Sequence, residues 1–434
     1  MKKLSFVLSL ALLLFATSLL AQKLIVVNGG ITRLSGPPST DYANVAIYDI
    51  SDDSYTSFDT IYTNSVQDAM IEANQFLYVA AQDSVVKYDL ATRKRLAATA
   101  FGSTSTVKMA IYNDKLLVGN WYGSTSNNFR IFDKNTLVFE DSIPEISRAA
   151  TDFVVIGDTA YIAQNLTGGS WQDTLGHMAV VDLTTMTWVR NDTIHANGEE
   201  FGRMTVVNSD QIYVLSSASN VTAHYNTQNN QSTITTNTGI DLSLRTYGAS
   251  IYEKDDTWYF PCSNSNICSY NLINGTVVND SIVNALGTAN AFALTMDTLN
   301  NYFYTSKIHY GNSTADRGVI YNIAGDSIGS FPTGFYPEVL VMYYDHLTSS
   351  NKTANPTSSF KVYPNPARHY LNLDFVDIRQ RQLIISNLSG QRIFNTQLNS
   401  RQTTLDIKNL STGFYQVTIV DESGKKEAQK FVKY

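Results

Sequence analysis

Apolar and polar positions along this chain alternate in short runs of roughly four to six residues, the length of ordinary strands. Asn, Asp, Ser and Gly interrupt the runs, and almost no stretch carries an apolar stripe at helical spacing. The pattern predicts strands joined by tight turns, and one strand keeps returning. Its compact forms are Ala46-Ile47-Tyr48-Asp49-Ile50 and Val86-Lys87-Tyr88-Asp89-Leu90. It recurs as Arg130-Ile131-Phe132-Asp133, Ala179-Val180-Val181-Asp182-Leu183, Ala223-His224-Tyr225-Asn226, Cys268-Ser269-Tyr270-Asn271-Leu272 and Val319-Ile320-Tyr321-Asn322-Ile323. The Asp or Asn falls at 49, 89, 133, 182, 226, 271 and 322, in steps of 40 to 51 residues. A period of that length, filled by short strands and polar turns, is that of a propeller blade.

Each unit holds more than the marker strand. A second strand precedes it, as in Phe76-Leu77-Tyr78-Val79, Ala160-Tyr161-Ile162 and Trp258-Tyr259-Phe260. Another comes before that and ends in a polar turn, as in Met109-Ala110-Ile111-Tyr112 followed by Asn113-Asp114. A variable outer strand follows the marker, such as Thr187-Trp188-Val189-Arg190, so each unit predicts four antiparallel strands. The ends of the array complement one another. The N-terminal unit opens on a second-type strand from Lys23, Leu24-Ile25-Val26-Val27, and lacks a first one. Beyond the seventh marker, Val339-Leu340-Val341-Met342-Tyr343 is a first-type strand with no sequel. Joined, they close a ring and remove exposed sheet edges. The expectation is an all-β chain with a seven-bladed β-propeller over residues 22–345.

Strands alternate in direction within a blade, so second-to-third loops and blade-to-blade connections leave the same face. Four of those loops are long: Asn28 to Ala43, Asn120 to Asn128, Gln164 to His177, and Ser306 to Gly318. The face gathers Arg33, Asp41, Tyr42, Trp121, Tyr122, Trp171, Tyr310 and Asp316, with Arg148, Arg203 and Arg245 just ahead of first strands. Aromatics among arginines and small polar residues suit a binding surface. Trp121, Tyr122, Arg148, Trp171, Arg203, Arg245 and Tyr310 are the candidate ligand contacts. The competing reading makes the loops tolerated insertions and the arginines neutralisers of an acidic channel.

Charge changes the picture twice. Charged residues are only 16 % of the chain, below the ~25 % usual for soluble domains. The deficit is filled by Thr, Ser, Asn and 26 Tyr, which suits strands and turns. Residues 1–359 hold 32 acidic and 20 basic residues, whereas 360–434 hold 6 and 11. An acidic body argues against nucleic acid as a partner, because phosphate binding needs a basic patch. At the start, Met1-Lys2-Lys3 followed by an apolar stretch to Leu20 and Ala21 reads as a secretory signal peptide over 1–21.

Candidate chemistry is sparse. HExxH, the P-loop and the dinucleotide fingerprint are all missing. Glu199-Glu200 is an acidic pair near the loop face, and His177, His195 and His309 fall in or beside its loops without ligand spacing. No metal site, cofactor or catalytic residue is read from them. The marker aspartates repeat, which argues for a structural role, since a catalytic residue is needed once. Cys262 and Cys268 are the only cysteines. They flank a hairpin of the sixth blade, where a disulfide is expected in an exported chain.

Residues 346–359 lack a core pattern and read as a linker. Strands then resume: Phe360–Tyr363, Tyr370–Phe375, Leu383–Ser386, Arg392–Phe394, Thr404–Ile407, Phe414–Val420 and Ala428–Val432. They predict a small immunoglobulin-like β-sandwich over 360–434. Val362-Tyr363-Pro364-Asn365-Pro366-Ala367 resembles the opening motif of the type A C-terminal sorting domains of the Bacteroidota type IX secretion system. Asn387-Leu388-Ser389-Gly390, Leu410-Ser411-Thr412-Gly413-Phe414-Tyr415 and Lys430-Phe431-Val432-Lys433-Tyr434 resemble its later motifs, in order. Tyr363, Pro364, Asn365, Pro366, Gly390, Gly413, Tyr415 and Lys430 are thus the sorting-motif residues. The resemblance implies passage through the periplasm, transfer across the outer membrane by the type IX machinery, and removal of the tail by its sortase-like protease. The cargo is then released or joined to an anionic lipopolysaccharide. The body resembles YncE-like or surface-layer-type seven-bladed propellers.

The function expected is a secreted or cell-surface binding module presenting its loop face to a protein, glycan or small ligand. Two other classes stay open: a propeller enzyme of lactonase, lyase or hydrolase type, and a structural surface protein without a discrete ligand. The lack of catalytic motifs weighs against the enzyme.

Overall fold

The computed structural model describes residues 21–30, 41–63, 65–101, 106–120, 127–165, 176–195, 201–208, 210–216, 221–236, 252–254, 256–262, 266–283, 290–308, 317–345, 360–365, 367–387, 392–411, 413–421 and 425–433. Among the described residues every helix or strand is a strand, and the strands form eight four-stranded sheets and one three-stranded sheet. The predicted signal peptide and linker lie outside the described residues, apart from Ala21.

Seven of the four-stranded sheets come from residues 21–345. Six take four strands in consecutive order, led by Asp68–Glu72, Thr106–Tyr112, Ala149–Ile156, Phe201–Asn208, Tyr252–Lys254 and Asn290–Asp297. The remaining sheet is shared between the two ends of the body. Pro337–Asp345 pairs antiparallel with Ala21–Asn28, placing Met342 opposite Leu24 and Leu340 opposite Val26. The strand starts at Ala21, two residues before the Lys23 expected from the pattern, and Ala21 already pairs with Asp345.

The leading strands touch in sequence. Pro337–Asp345 contacts Asp68–Glu72, which contacts Thr106–Tyr112, then Ala149–Ile156, then Phe201–Asn208. The Thr205 hydroxyl donates to Glu253 of the next leading strand, Tyr252–Lys254. That strand contacts Asn290–Asp297, which contacts Pro337–Asp345 again. We call them the inner strands.

Why the middle strands read as unbroken apolar runs is visible in Thr159–Asn165. Side chains alternate across a strand. Ala160 and Ile162 therefore join Leu117, Phe129 and Ile131 of the preceding sheet. Tyr161 and Ala163 join Ile212, Val214 and Tyr225 of the following one. Both faces are buried. Outer strands such as Lys94–Ala100 are largely exposed, with Leu96, Ala98 and Ala100 outward and Ala97 and Thr99 half-buried.

The marker Asp and Asn residues end the third strand of each sheet and fasten the turn that follows. Asp89 accepts from the Thr92 amide at 2.7 Å and the Thr92 hydroxyl at 2.8 Å. Asp133 does the same for Thr136, and Asp182 for Thr184. Asn226 and Asn271 accept from turn amides in the same way. Such side-chain-to-backbone bonds hold a turn without further packing.

Cys262 and Cys268 form the expected disulfide, with α-carbons 5.8 Å apart. It closes a short loop, so loop-closure entropy assigns it only about 2 kcal/mol. Replacing both cysteines by serine should lower stability by about that amount. Equilibrium urea unfolding with and without reductant measures it: reductant should shift the parent midpoint and leave the double variant unmoved.

The tail has a three-stranded sheet, Phe360–Tyr363, Tyr370–Phe375 and Gln402–Asp406, and a four-stranded sheet, Arg392–Leu398, Arg381–Asn387, Gly413–Asp421 and Lys426–Lys433. One core joins them: Phe360, Leu371, Leu373 and Leu405 from the first with Leu383, Ile385, Val417 and Phe431 from the second.

Candidate functional site at the loop end of the inner strands

The inner strands begin at the end of the body from which the long loops leave. Three of them, or the residues beside them, carry a carboxylate at that end which reaches sideways to the next. Glu338 accepts the Val66 amide just ahead of Asp68–Glu72. Asp68 accepts the Met109 amide at 2.9 Å. Asp152 accepts the Met204 amide at 2.9 Å and its neighbour Phe153 at 2.8 Å. A Cβ on Gly29 would stand 2.6 Å from a Glu338 carboxylate oxygen, so the bare glycine leaves room for that group.

Two cations answer these acids. Lys108 Nζ lies 3.9 Å from Asp68, and a guanidinium nitrogen of Arg203 lies 3.8 Å from Asp152. The result is an arc from Glu338 through Asp68, Lys108 and Asp152 to Arg203. Its members differ in burial: the Asp152 side chain is 3 % exposed and Arg203 12 %, whereas Lys108 is 33 % exposed. Burial pushes the Asp152 carboxyl above the ordinary carboxylate range, against the pull of Lys108, Arg203 and the two amides. Each carboxylate already accepts a backbone N–H. The arc therefore ties inner strands together and leaves Lys108 partly exposed toward the loop end. Among the described residues no group of three or more His, Cys, Asp or Glu is placed to hold a metal ion.

The sequence candidates divide as follows. Arg203 is the third residue of its inner strand rather than just ahead of it, and it faces Asp152. Arg148 does stand just ahead of its inner strand and is half-buried. Trp121, Tyr122, Trp171, Arg245, Tyr310, His309, Glu199 and Glu200 lie outside the described residues. His177 sits opposite Gln164 in its sheet, and His195 ends the outer strand Thr187–His195. Sequence reasoning passed over Tyr62. It follows an outer strand at the loop end, is 82 % exposed, and meets Tyr42 edge-on with ring centroids 5.3 Å apart. A lone Tyr in a Tyr-rich chain gave no signal. Asp68, Lys108 and Asp152 were missed because their partners are distant in sequence and a lone charge near a strand reads as a solvent-facing group.

In the tail, Asn365 shows what its motif position does. Its amide donates to the Lys430 carbonyl at 3.0 Å and accepts the Val432 amide at 2.9 Å, clasping the last strand. Ala367 adds a bond to the Val432 carbonyl. Tyr363 donates to Asp374, and Tyr415 donates to the Ser411 carbonyl while stacking on Phe431. The Tyr363–Pro364 peptide is cis. Gly413 has an extended backbone, φ 157°. Pro366 and Gly390 lie outside the described residues.

Residues 361–434 match the family described as the secretion system C-terminal sorting domain. The chain thus carries a sorting domain of type IX secretion, which supports a secreted or cell-surface location. No curated protein matches the chain in sequence. Among solved structures it is similar to the extracellular domain of a one-component system from B. thetaiotaomicron, at 10 % identity and a TM-score of 0.48 over 90 % of this chain and 54 % of that one. It thus spans about half the length of that structure. The extracellular domain of a hybrid two-component system from the same organism gives 11 % and 0.48, over 94 % and 59 %. BamB from Moraxella catarrhalis gives 12 % and 0.42, over 76 % and 88 %.

Proposed function

We propose that this chain is a secreted or surface-displayed binding module of a Bacteroidota cell. In this reading residues 22–345 are a seven-bladed, YncE-like propeller whose loop face takes a protein, glycan or small ligand. Residues 360–434 are an immunoglobulin-like sandwich that directs type IX export and is cut off by the sortase-like protease. The cargo is then freed or joined to anionic lipopolysaccharide. The match of 361–434 carries the export part. The pairing of Pro337–Asp345 with Ala21–Asn28, and the run of inner-strand contacts that returns to its start, support the ring. The loop face is supported by Tyr62 with Tyr42 and by the partly exposed Lys108 at the loop end of the inner strands.

Intact mass and N-terminal sequencing of the protein from producing cells, fractionated into periplasm, surface and medium, tests this. The expected species starts at Gln22, ends between residues 346 and 359, and resides at the surface or in the medium. A chain that keeps Tyr434 and stays in the periplasm overturns it.

A further inference from the structure

The opposite end of the body, where inner strands turn into second strands, meets the tail at two separate places. The first is ionic. The Arg368 guanidinium bonds Glu253 at the end of the inner strand Tyr252–Lys254 and lies 3.4 Å from Asp256 in the following turn. His369 lies 4.0 Å from the same Asp256. The Arg368 side chain is 12 % exposed and that of Glu253 17 %, so the pair is largely withdrawn from water. The free oxygen of Glu253 accepts the Thr205 hydroxyl from the neighbouring sheet, which fixes the carboxylate in position.

The second contact is aromatic. The ring of Tyr344, at the far end of the ring-closing strand, meets Phe414 edge-on at 6.4 Å, and both residues are 8 % exposed. The two contacts fall on different parts of the run of inner strands, at Tyr252–Lys254 and at the end of Pro337–Asp345. On the tail they come from one end only: Arg368 with His369, and the start of Gly413–Asp421. Charge agrees with geometry, since residues 1–359 carry 32 acidic against 20 basic residues and the tail 6 against 11.

We propose that the turn face of the body is a docking surface for the sorting domain itself, in which Glu253 and Asp256 form a socket for Arg368. The docked tail covers the turn end of the inner strands, so the loop end is the one left open to other partners. The socket selects a guanidinium, because two carboxylates at different heights match a planar fork better than a point charge. Docking does not depend on the linker once the surfaces have met. A tail cut from the body therefore stays bound until salt or loss of Arg368 releases it. This inference concerns how the two parts hold each other and stands or falls apart from the export reading.

The test keeps the full chain. A recognition site for a specific protease is placed within residues 346–359, the purified protein is cut, and body and tail are followed by size-exclusion chromatography. The expected result is co-elution at about 50 mM salt and partial separation at about 500 mM, where charge attraction is screened within a few ångströms. Arg368→Ala and Arg368→Glu should each weaken retention about thirtyfold or more, as removal of one partner of a buried pair does. Arg368 bonds body carboxylates and lies outside the tail core, so near-ultraviolet circular dichroism of the uncut variants should match the parent. Two separate peaks from the cut parent at low salt overturn the docking surface. Parent-like retention of both Arg368 variants overturns the socket.

Discussion

Leu340→Asp will abolish the cooperative unfolding transition of the body, and Leu340→Ala will keep the transition at a cost of about 2–5 kcal/mol. Leu340 is 3 % exposed and sits in a cluster with Leu24, Val26, Ala46, Tyr48, Tyr304 and Phe331. An aspartate there has no cation among those neighbours and must be buried either charged or protonated, a cost of about 4 kcal/mol or more. That approaches the whole stability of an ordinary domain, about 5–15 kcal/mol. The position matters more than the substitution type. Leu340 belongs to the strand that joins the end of the body to its beginning, opposite Val26. Displacing it bares Ala21–Asn28, where Leu24, Ile25, Val26 and Val27 are all fully buried. A bared apolar strand is an edge that pairs with other chains, so the Asp variant should also aggregate. Urea unfolding followed by near-ultraviolet circular dichroism decides the matter. A parent-like midpoint for Leu340→Asp would show that the closing strand contributes little.

The strand pairing at this seam was legible in the sequence. An array lacking its first strand at one end and carrying an extra one at the other has a single economical solution. The marker Asp and Asn residues were also legible, because a turn-fastening side chain must recur at every turn of the same kind. The tail was legible twice, from alternation and from its motifs. Physical reasons explain what was hidden. Lys87 sits in a marker strand and reads as a solvent-facing lysine, yet it is 2 % exposed and its ammonium lies 4.2 Å from the Phe76 ring centroid and 3.0 Å from the Lys134 carbonyl. A buried lysine is recognised only by partners that are distant in sequence. The same holds for the arc: Asp152 and Met204 are 52 residues apart, and nothing near either one announces the bond. Arg203 was picked for its place near an inner strand, but its partner Asp152 was not, so its ionic role was open between ligand and neutraliser.

Asp152 gives the second large effect. Its two oxygens accept the Phe153 and Met204 amides, and Arg203 stands 3.8 Å away. Asp152→Ala leaves two buried N–H groups without acceptors and Arg203 without its anion, and should cost about 3–5 kcal/mol at neutral pH. Asp152→Asn keeps one acceptor and removes the charge, so it isolates the titration. Burial raises the Asp152 carboxyl above its ordinary value of 3.8, with Lys108, Arg203 and the amides opposing. The folded protein then holds the proton more tightly than the unfolded chain does. The stability this contributes is complete below about pH 3.8 and is lost as pH rises through the raised value. The gap between parent and Asp152→Asn should therefore be widest in acid and narrow as pH rises. Urea midpoints between about pH 3 and about pH 8 measure this directly. A gap that widens with pH would mean that Arg203 and Lys108 outweigh burial, and that the arc is held together chiefly by its charges.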